Sequence, residues 1–227
     1  MNKSVPANEW NLLYEKGGAA APRYPHDAVV RWFFANYREH FDNKINFLDV
    51  GCGGGRHSIF LANLGCNVSA IDYSSNAIDI LNLWAMEQNL QIDTKVSSVI
   101  ELPYAENSFS GIISVGVLCY LNINSIKKSV DEMYRVLKPG GKLFVTTRSN
   151  KDSRYLVGNK STANHAVVAG DKSVPWQSEI GMDMVFLSEE DVEQMFHKFK
   201  KINIERESFS MCGRKYLNDD WIITALK

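Results

Sequence analysis

The feature that most constrains the fold of this chain is a run of glycines directly after an apolar strand. Residues 47–56 read Phe-Leu-Asp-Val-Gly-Cys-Gly-Gly-Gly-Arg. Glycine adopts positive φ angles and lets the backbone approach a ligand closely, and the first N–H groups of the following helix can donate to polar or anionic groups. A strand, a glycine turn and a helix in this order predict a nucleotide-binding site in an α/β domain.

The spacing of the glycines distinguishes between two kinds of cofactor. The nicotinamide pattern G-x-G-x-x-G requires glycine at positions 51, 53 and 56, but position 56 is Arg56. The chain instead has Asp49-x-Gly51-x-Gly53-x-Gly55, which resembles the signature of the class I S-adenosylmethionine-dependent methyltransferases. The resemblance implies that these four residues form the site for S-adenosyl-L-methionine, which becomes S-adenosyl-L-homocysteine, with Asp49 under the turn in an indirect role that orders backbone N–H groups near the methionine part. Arg56 is a further candidate, either pairing locally or contacting the carboxylate of the cofactor.

The resemblance covers roughly residues 45–147 and extends to two further segments. Residues 101–109 are similar to the family's loop after the third strand, and residues 132–141 are similar to its helix and turn before the fifth strand. Of the members of the family, the chain looks most like bacterial small-molecule enzymes with a short N-terminal helix and a lid after the fifth strand.

Four more residues are candidates for cofactor binding. Asp72 ends the second predicted strand, where an acid can accept hydrogen bonds from both ribose hydroxyls; its alternative role is a helix cap for the segment that begins near Ser75. The resemblance implies that Tyr73 packs on the adenine. Ser98 stands where many members have an acid, and its hydroxyl, like the N–H of Val99, can contact the ring.

The loop after the fourth predicted strand, residues 114–120, corresponds to the family's loop beside the methyl donor. It supplies Val115 as a cofactor contact and Tyr120 as a catalytic candidate. The loop contains neither the Asn/Asp-Pro-Pro-aromatic motif of DNA amino methyltransferases nor the Pro-Cys nucleophile of RNA cytosine methyltransferases. We therefore expect a small-molecule acceptor.

The remaining site candidates lie outside the cofactor half of the chain. His26 is the preferred general base, and Tyr24 in the same Arg-Tyr-Pro-His segment is a second catalytic candidate. Arg148 is a candidate for binding an anionic substrate group, and Tyr14 and Trp176 are candidate substrate contacts, with Trp176 alternatively anchoring a lid. No histidine pair has the spacing of metal ligands, so we expect no metal.

Apolar strand-like segments alternate with helical ones, which predicts a largely parallel sheet with helices on both faces. The resemblance implies a Rossmann-like sheet of seven strands with one antiparallel strand near the C-terminal edge. The predicted strands are 47–50, 67–71, 94–97, 111–115, 142–147, 201–207 and 221–226. The predicted helices are 58–64, 75–89, 125–137 and one that begins at 188.

Two regions fall outside this alternation. Residues 1–44 contain an amphipathic stretch and are expected to form an N-terminal helical cap segment. The methyltransferase domain is expected to cover residues 45–227, with an insertion at about 148–186 that is rich in Ser, Asn, Gly and Lys. Loops of this length in a compact domain are usually functional or disordered, so we expect the insertion to be a lid on the substrate side.

Composition limits the partners and the location that we expect. The formal net charge is -1 and the pI is about 6.5, which predicts no nucleic-acid partner. The N-terminal residues lack the apolar core of a signal peptide, and no run approaches the ~20 apolar residues of a membrane span. The four cysteines form no CxxC pair, which suits a reducing cytoplasm. Both a monomer and a homodimer are compatible with the sequence.

Together these features predict an enzyme that transfers a methyl group from S-adenosylmethionine to an oxygen or nitrogen of a small molecule by in-line displacement. The alternative is a non-catalytic S-adenosylmethionine-binding partner or regulatory subunit. A nicotinamide oxidoreductase is a third hypothesis, which Arg56 in place of glycine disfavours.

Overall fold

The computed structural model describes residues 7–15, 21–37 and 45–227. Ten strands are present in these ranges: β1 (Asn46–Val50), β2 (Asn67–Asp72), β3 (Ile92–Val96), β4 (Phe109–Val115), β5 (Leu137–Arg148), β6 (Asn159–Thr162), β7 (His165–Val167), β8 (Asp183–Val185), β9 (Lys200–Met211) and β10 (Tyr216–Leu226). The helices are α1 (Ala7–Glu15), α2 (Asp27–Tyr37), α3 (Arg56–Asn63), α4 (Ser75–Glu87), α5 (Ile123–Val136), α6 (Ser153–Val157) and α7 (Glu189–Phe196). None of the helices in these ranges has both the length and the apolar character that crossing a bilayer requires.

Seven strands form one sheet in the order β3-β2-β1-β4-β5-β10-β9. β1 pairs in parallel with β2 and β4, β2 pairs in parallel with β3, and β4 with β5. β10 is antiparallel to both of its neighbours, β5 and β9. The predicted fold class, an α/β Rossmann-like sheet of seven mostly parallel strands with one antiparallel strand near the C-terminal edge, is confirmed.

Strand β1 shows why helices cover both faces of the sheet. Phe47 packs in one cluster with Trp32 and Phe33 of α2. The next residue, Leu48, belongs to a different cluster with buried residues of α5 and α7. Successive side chains of a strand point to opposite faces, so the continuous apolar run in β1 requires a helical layer on each side.

The insertion between β5 and α7 contains a small sheet of its own, which the sequence analysis did not predict. Strands β6, β7 and β8 form an antiparallel sheet in that order. Each strand has only three or four residues, so polar neighbours hide the apolar alternation in the sequence. Its buried side chains cluster with Trp176: Ala166, Val168, Met184 and Phe186.

The C-terminal hairpin is longer than predicted. β9 has twelve residues and β10 has eleven, because the pairing continues through the polar residues on either side of the turn at 212–215. This extension brings Asp220 of β10 directly opposite Arg148 at the end of β5. The hairpin thereby contributes a charged residue to the edge of the sheet where the parallel strands end.

Gly55 occupies a position that no other residue fits. It is the N-cap of α3, with φ at 89°, and a Cβ there would lie 2.2 Å from Cδ1 of Leu81 in α4. The turn therefore requires both a left-handed backbone and the absence of a side chain at this position.

We expect Gly55→Ala to lower the free energy of unfolding by about 2–5 kcal/mol, because a left-handed conformation costs about 1–2 kcal/mol and overpacking adds about 1–3 kcal/mol. Gly65→Ala is the matched control, since Gly65 has φ at 83° but nothing within 4 Å of an added Cβ. Its expected loss is the backbone cost alone. Urea denaturation of both variants tests this account, and equal losses would show that the contact with Leu81 is unimportant.

Candidate functional site

A cavity of about 920 Å³ lies at the carboxyl ends of the central strands. Its lining includes residues at the ends of β1, β2, β4 and β5: Gly51, Asp72, Val115 and Arg148. Open α/β sheets bind their ligands at this edge. Ligand sites commonly measure about 300–1,000 Å³, so this cavity has room for a nucleoside-sized ligand together with a second small molecule.

Three N–H groups at the start of the glycine turn are bonded within the fold. Gly51 and Cys52 donate to the carbonyl oxygen of Ile71 at 2.8 and 2.9 Å, and Gly53 donates to Oδ2 of Asp72 at 2.8 Å. These three donors therefore hold the turn against the end of β2. A ligand in the cavity meets the bare backbone surface of Gly51 and Gly53, which both line it.

Two predicted cofactor residues beside the turn differ in their access to the cavity. Gly55 is absent from the cavity lining among the described residues, and the structure gives it a different role, the close contact with Leu81. Arg56, the first residue of α3, does line the cavity. Burial lowers the pKa of Arg56, while the nearby Asp49 opposes that shift; an arginine nevertheless remains charged in proteins.

Asp72 joins the turn to the end of β2. Its Oδ2 accepts the Gly53 N–H, and its Oδ1 accepts the Ser74 N–H at 2.9 Å. The alternative role of capping α4 belongs to Ser74, whose Oγ accepts the Ala77 N–H. Burial raises the pKa of Asp72, and these backbone hydrogen bonds oppose the rise. Each carboxylate oxygen retains a second acceptor site, so Asp72 can accept donors from the cavity that it lines.

Asp49 lies beneath the turn rather than on the cavity surface. It is 1% exposed, and its Oδ2 accepts a hydrogen bond from Oγ of Ser58 in α3 at 2.6 Å. Burial raises the pKa of Asp49 to about 7, although the Ser58 hydrogen bond lowers it. Asp49 therefore links β1 to α3 below the site and is not among the described residues that line the cavity, so its place suits the indirect role predicted from the sequence.

The residues predicted to contact adenine lie together on one wall of the cavity. Tyr73, Ser98 and Val99 all line it. Tyr73 is half exposed, so its ring is accessible to a planar ligand, whereas Val99 is buried in the core. Oγ of Ser98 accepts the Ile100 N–H at 3.4 Å. An accessible ring, an apolar side chain and a hydroxyl suit the mixed polarity of a purine.

Helix α1 covers the turn from the N-terminal side. Oδ1 of Asn11 accepts from Oγ of Ser74 at 2.6 Å, and the carbonyl oxygen of Asn11 accepts from the Asn76 side chain at 3.0 Å. These bonds place the Tyr14 hydroxyl over the turn, where a Cβ on Gly53 would be only 2.6 Å away. Tyr14, a predicted substrate contact, therefore lies at the end of the cavity that is formed by the glycine turn. Burial raises the pKa of Tyr14, so its phenol stays protonated.

The predicted general base, His26, has both ring nitrogens engaged. Its Nδ1 accepts the Ala28 N–H at 3.3 Å, and its Nε2 lies 3.1 Å from Oε2 of Glu207. A neutral imidazole whose Nδ1 accepts carries its proton on Nε2, so this ring donates to Glu207 and presents no lone pair to the cavity. The other candidate, Tyr24, is 85% exposed and is not among the described residues that line the cavity. These contacts correct both predictions.

Arg148, which the sequence predicts to bind an anionic group, is already paired within the protein. Its Nη1 lies 2.9 and 3.1 Å from the two carboxylate oxygens of Asp220 and 2.7 Å from Oδ1 of Asn218. Burial alone would lower the pKa of Arg148, but Asp220 and its other neighbours raise it. The guanidinium is therefore charged, and Asp220 neutralises it.

Carboxylates outnumber guanidinium groups around Arg148. The guanidinium groups of Arg148 and Arg154 contact the carboxylates of Asp152, Glu179 and Asp220. Two positive and three negative groups make this end of the cavity negative by one formal charge, which favours hydrogen-bond donors over anions. In the ranges that the structure describes, no group of three or more His, Cys, Asp or Glu side chains is arranged to hold a metal ion.

Tyr120 connects three parts of the structure at the cavity. Its hydroxyl donates to Oε1 of Glu179 in the insertion at 2.8 Å, and its ring meets Trp10 of α1 edge-on, with 4.7 Å between centroids. Burial and the neighbouring Glu179 raise the pKa of Tyr120 well above its usual range. Tyr120 therefore acts as a neutral donor that holds the loop after β4 against α1 and the insertion.

Trp176 is a structural residue of the insertion. It is 2% exposed, its Nε1 donates to the carbonyl oxygen of Ala169 at 3.1 Å, and its ring packs against Tyr216. It is not among the described residues that line the cavity. The prediction of a substrate contact is therefore corrected to the other role considered, a hydrophobic anchor for the insertion that was predicted to be a lid.

Asp220 and Glu179 line the cavity, but the sequence analysis did not identify them. Asp220 belongs to the polar run 218–220 immediately before the predicted last strand, and an antiparallel last strand begins at the edge where the parallel strands end. That topology was a usable signal for Asp220. The position of Glu179 at the cavity depends on the fold of the insertion, and the sequence of the insertion does not indicate that fold.

Comparison with known proteins identifies the cofactor half. A family model described as a methyltransferase domain matches residues 48–145, from β1 to β5. A ubiquinone biosynthesis O-methyltransferase of Xanthomonas oryzae pv. oryzae is 37% identical over 111 residues, which are 48% of this chain and 46% of that protein. The chain spans about half the length of the curated relatives it matches.

Solved structures share the fold over most of the chain. A S-adenosylmethionine-dependent methyltransferase of Methanosarcina mazei has a TM-score of 0.69 and 21% identity, covering 90% of this chain and 98% of that one. Magnesium protoporphyrin IX methyltransferase of Synechocystis, solved with bound S-adenosylhomocysteine, has a TM-score of 0.64 and 16% identity. The match covers 88% of this chain and 80% of that one.

The buried carboxyl of Asp49 makes stability depend on pH. Because folding raises its pKa from near 4 to about 7, its stabilising contribution is complete below about pH 4 and is lost as the pH rises through about 7. Asp49→Asn keeps an acceptor for Ser58 and removes the charge. We expect it to increase the free energy of unfolding relative to the parent by a few kcal/mol at most at about pH 8, and much less at about pH 5, with a corresponding rise in Tm.

Circular dichroism melts at the two pH values measure this difference. Asp93→Asn, which changes a half-exposed carboxylate of β3 paired with Lys95, is the control and should show no such dependence. A constant Tm difference between Asp49→Asn and the parent at both pH values would mean that Asp49 ionises normally.

Proposed function

Because residues 48–145 match a methyltransferase-domain family model, and the chain resembles O-methyltransferases in sequence and a S-adenosylmethionine-dependent methyltransferase in fold, we propose that it transfers the methyl group of S-adenosyl-L-methionine to an oxygen or nitrogen of a small-molecule acceptor. The observation that supports this proposal is one cavity with the glycine turn and Asp72 at one end and Arg148 and Asp220 at the other. The relatives named O-methyltransferases make a hydroxyl compound the first acceptor class to test.

The residues at the turn end fit S-adenosylmethionine by their chemistry. Asp72 has acceptor sites for the ribose hydroxyls, and the bare backbone of Gly51 and Gly53 leaves room for the rest of the nucleoside. Tyr73 and Val99 offer flat apolar surface to the adenine. This set is the proposed cofactor site.

The reaction needs positioning more than it needs chemical help from the protein. S-adenosylmethionine supplies a methyl group that its sulfonium already activates. The chain has to hold the acceptor atom about 3–3.5 Å from that methyl and to exclude water. A lone pair of the acceptor then forms the new bond to carbon as the carbon–sulfur bond breaks, with the electron pair of that bond going to sulfur.

We also propose that residues 1–44, of which the structure describes 7–15 and 21–37, act as an N-terminal cap and residues 148–186 as a lid over this cavity. Trp10 of α1 contacts Tyr120, and Tyr120 donates to Glu179 of the insertion. This chain of contacts couples the two segments across the cavity. Water exclusion therefore depends on both of them.

The cofactor site makes a direct prediction for Asp72. We expect Asp72→Ala to weaken binding of S-adenosylhomocysteine by about 2–4 kcal/mol, because hydrogen bonds to a charged group are worth about 1.5–3 kcal/mol each and are not additive. Asp93→Ala is the matched control, because Asp93 is an exposed acid on the adjacent strand β3. This variant should bind S-adenosylhomocysteine as tightly as the parent does. Isothermal calorimetry measures both variants.

Three outcomes distinguish the hypotheses. Binding of S-adenosylhomocysteine but not NAD, with methylation of acceptors in a panel of phenols, catechols and amines, supports the proposed function. Tight binding of NAD without a response to S-adenosylhomocysteine would refute it. Cofactor binding without turnover of any acceptor would favour the non-catalytic partner instead.

A further inference from the structure

Asp220 has a carboxylate oxygen with capacity for a ligand. Its Oδ2 accepts from Nη1 of Arg148 at 2.9 Å and from Nδ2 of Asn218 at 2.8 Å, whereas its Oδ1 accepts from Arg148 alone, at 3.1 Å. A carboxylate oxygen has two lone-pair sites. The Asp220 side chain is 17% exposed and lines the cavity, so this remaining acceptor site lies inside the proposed active site.

The other proton acceptors around the cavity are engaged. The lone pair of His26 is used by the Ala28 N–H, and Tyr120 is a neutral donor. Each oxygen of Glu179 accepts one short protein hydrogen bond, Oε1 from Tyr120 at 2.8 Å and Oε2 from Arg154 at 2.5 Å, whereas the single contact of Asp220 Oδ1 is longer, at 3.1 Å. Asp220 is therefore the lining group best able to accept a proton from an acceptor hydroxyl.

The charged groups that face Asp220 come from several elements. Arg148 of β5 is its ion-pair partner, and Arg154 of α6 and Asp152 at the N-cap of that helix also act on its charge. Burial raises the pKa of Asp220, while Arg148 opposes that rise. A carboxylate whose pKa is moved towards neutrality is a better general base than an ordinary one.

Apolar side chains line the same cavity as the Arg148–Asp220 pair. They include aromatic and aliphatic side chains from α1, the loop after β4, the insertion and β9: Trp10, Leu13, Leu121, Met182 and Phe209. An anionic acceptor would enter against Asp220 and Glu179, while Arg148 is already neutralised. The lining therefore favours an uncharged ligand with an apolar body and a hydrogen-bond donor.

We infer that Asp220 is the general base of this site and that the acceptor is a neutral, largely apolar hydroxyl compound, such as a phenol, whose hydroxyl donates to Oδ1 of Asp220. This inference rests on the proposed function. The acceptor oxygen forms a bond to the methyl carbon, the carbon–sulfur bond breaks with its electron pair on sulfur, and the hydroxyl proton moves to Asp220 and then to solvent. Arg148 is a positioning residue that holds the carboxylate.

Binding tests the choice of acceptor without turnover. The full chain is saturated with S-adenosylhomocysteine and titrated calorimetrically with methyl para-hydroxybenzoate and with para-hydroxybenzoate, which differ by one negative charge. We expect the ester to bind at least about tenfold more tightly, because like charges brought together cost several kcal/mol. Asp220→Asn should reduce this preference. Tighter binding of the acid, or binding of neither probe, would overturn the assignment of the acceptor.

Transfer tests the base. At neutral pH, Asp220→Asn should lower kcat for phenol by at least about 100-fold, the usual contribution of a general base, and much less for para-nitrophenol, which ionises readily without a base. Asp220→Glu restores a carboxylate and should recover part of the activity. Glu205→Gln, an exposed carboxylate of β9 that accepts from Asn203, is the matched control. Unchanged affinity for S-adenosylhomocysteine shows that each variant is folded.

The two proposals fail differently. Suppose that the parent methylates phenols. If Asp220→Asn keeps the kcat of the parent, or if its kcat falls by the same factor for phenol and for para-nitrophenol, Asp220 is not the base, although the methyltransferase proposal stands. If no acceptor is methylated but the ester is preferred in binding, the proposed function fails and the recognition of neutral hydroxyl compounds stands.

Discussion

The N–H groups of Gly51, Cys52 and Gly53 all donate to the end of β2, and the rest of the site depends on that connection. The bonds fix the turn between β1 and α3 in one conformation and orient the carboxylate of Asp72 at the same time. Because these three donors are bonded within the fold, a cofactor that approaches them meets bare backbone and the carboxylate of Asp72. The absence of a side chain at Gly55 then lets α4 pack against this turn.

The opposite end of the cavity has different chemistry. There the C-terminal hairpin places Asp220 against Arg148, and the insertion adds Glu179 and Arg154. The glycine turn suits a polar nucleoside, whereas the ion-pair end combines apolar walls with acceptors for a single donor group. The proposed reaction follows from this difference, since one cavity can hold two unlike ligands next to each other.

The sequence predicted those parts of the fold that are determined by residues close together in the chain. Short apolar strands and the glycine turn are set by residues close in the chain, so the seven-stranded sheet follows from them. The small sheet of the insertion has strands of three or four residues, too short for periodicity to be visible. His26 and Arg148 illustrate a different difficulty: residue type alone suggests a base and an anion site, but partners distant in sequence, Glu207 and Asp220, occupy their polar atoms. Trp176 is similarly taken up by the core of the insertion.

The most direct test of the account is a transfer experiment with S-adenosylmethionine that carries a deuterated methyl group, using a neutral phenol as acceptor and mass spectrometry of the product. The account predicts that the complete deuterated methyl group appears on the phenol oxygen, with one S-adenosylhomocysteine formed for each product molecule. Tight binding of S-adenosylmethionine with no label in any phenol, catechol or amine would contradict the claim that the two ends of the cavity carry out methyl transfer.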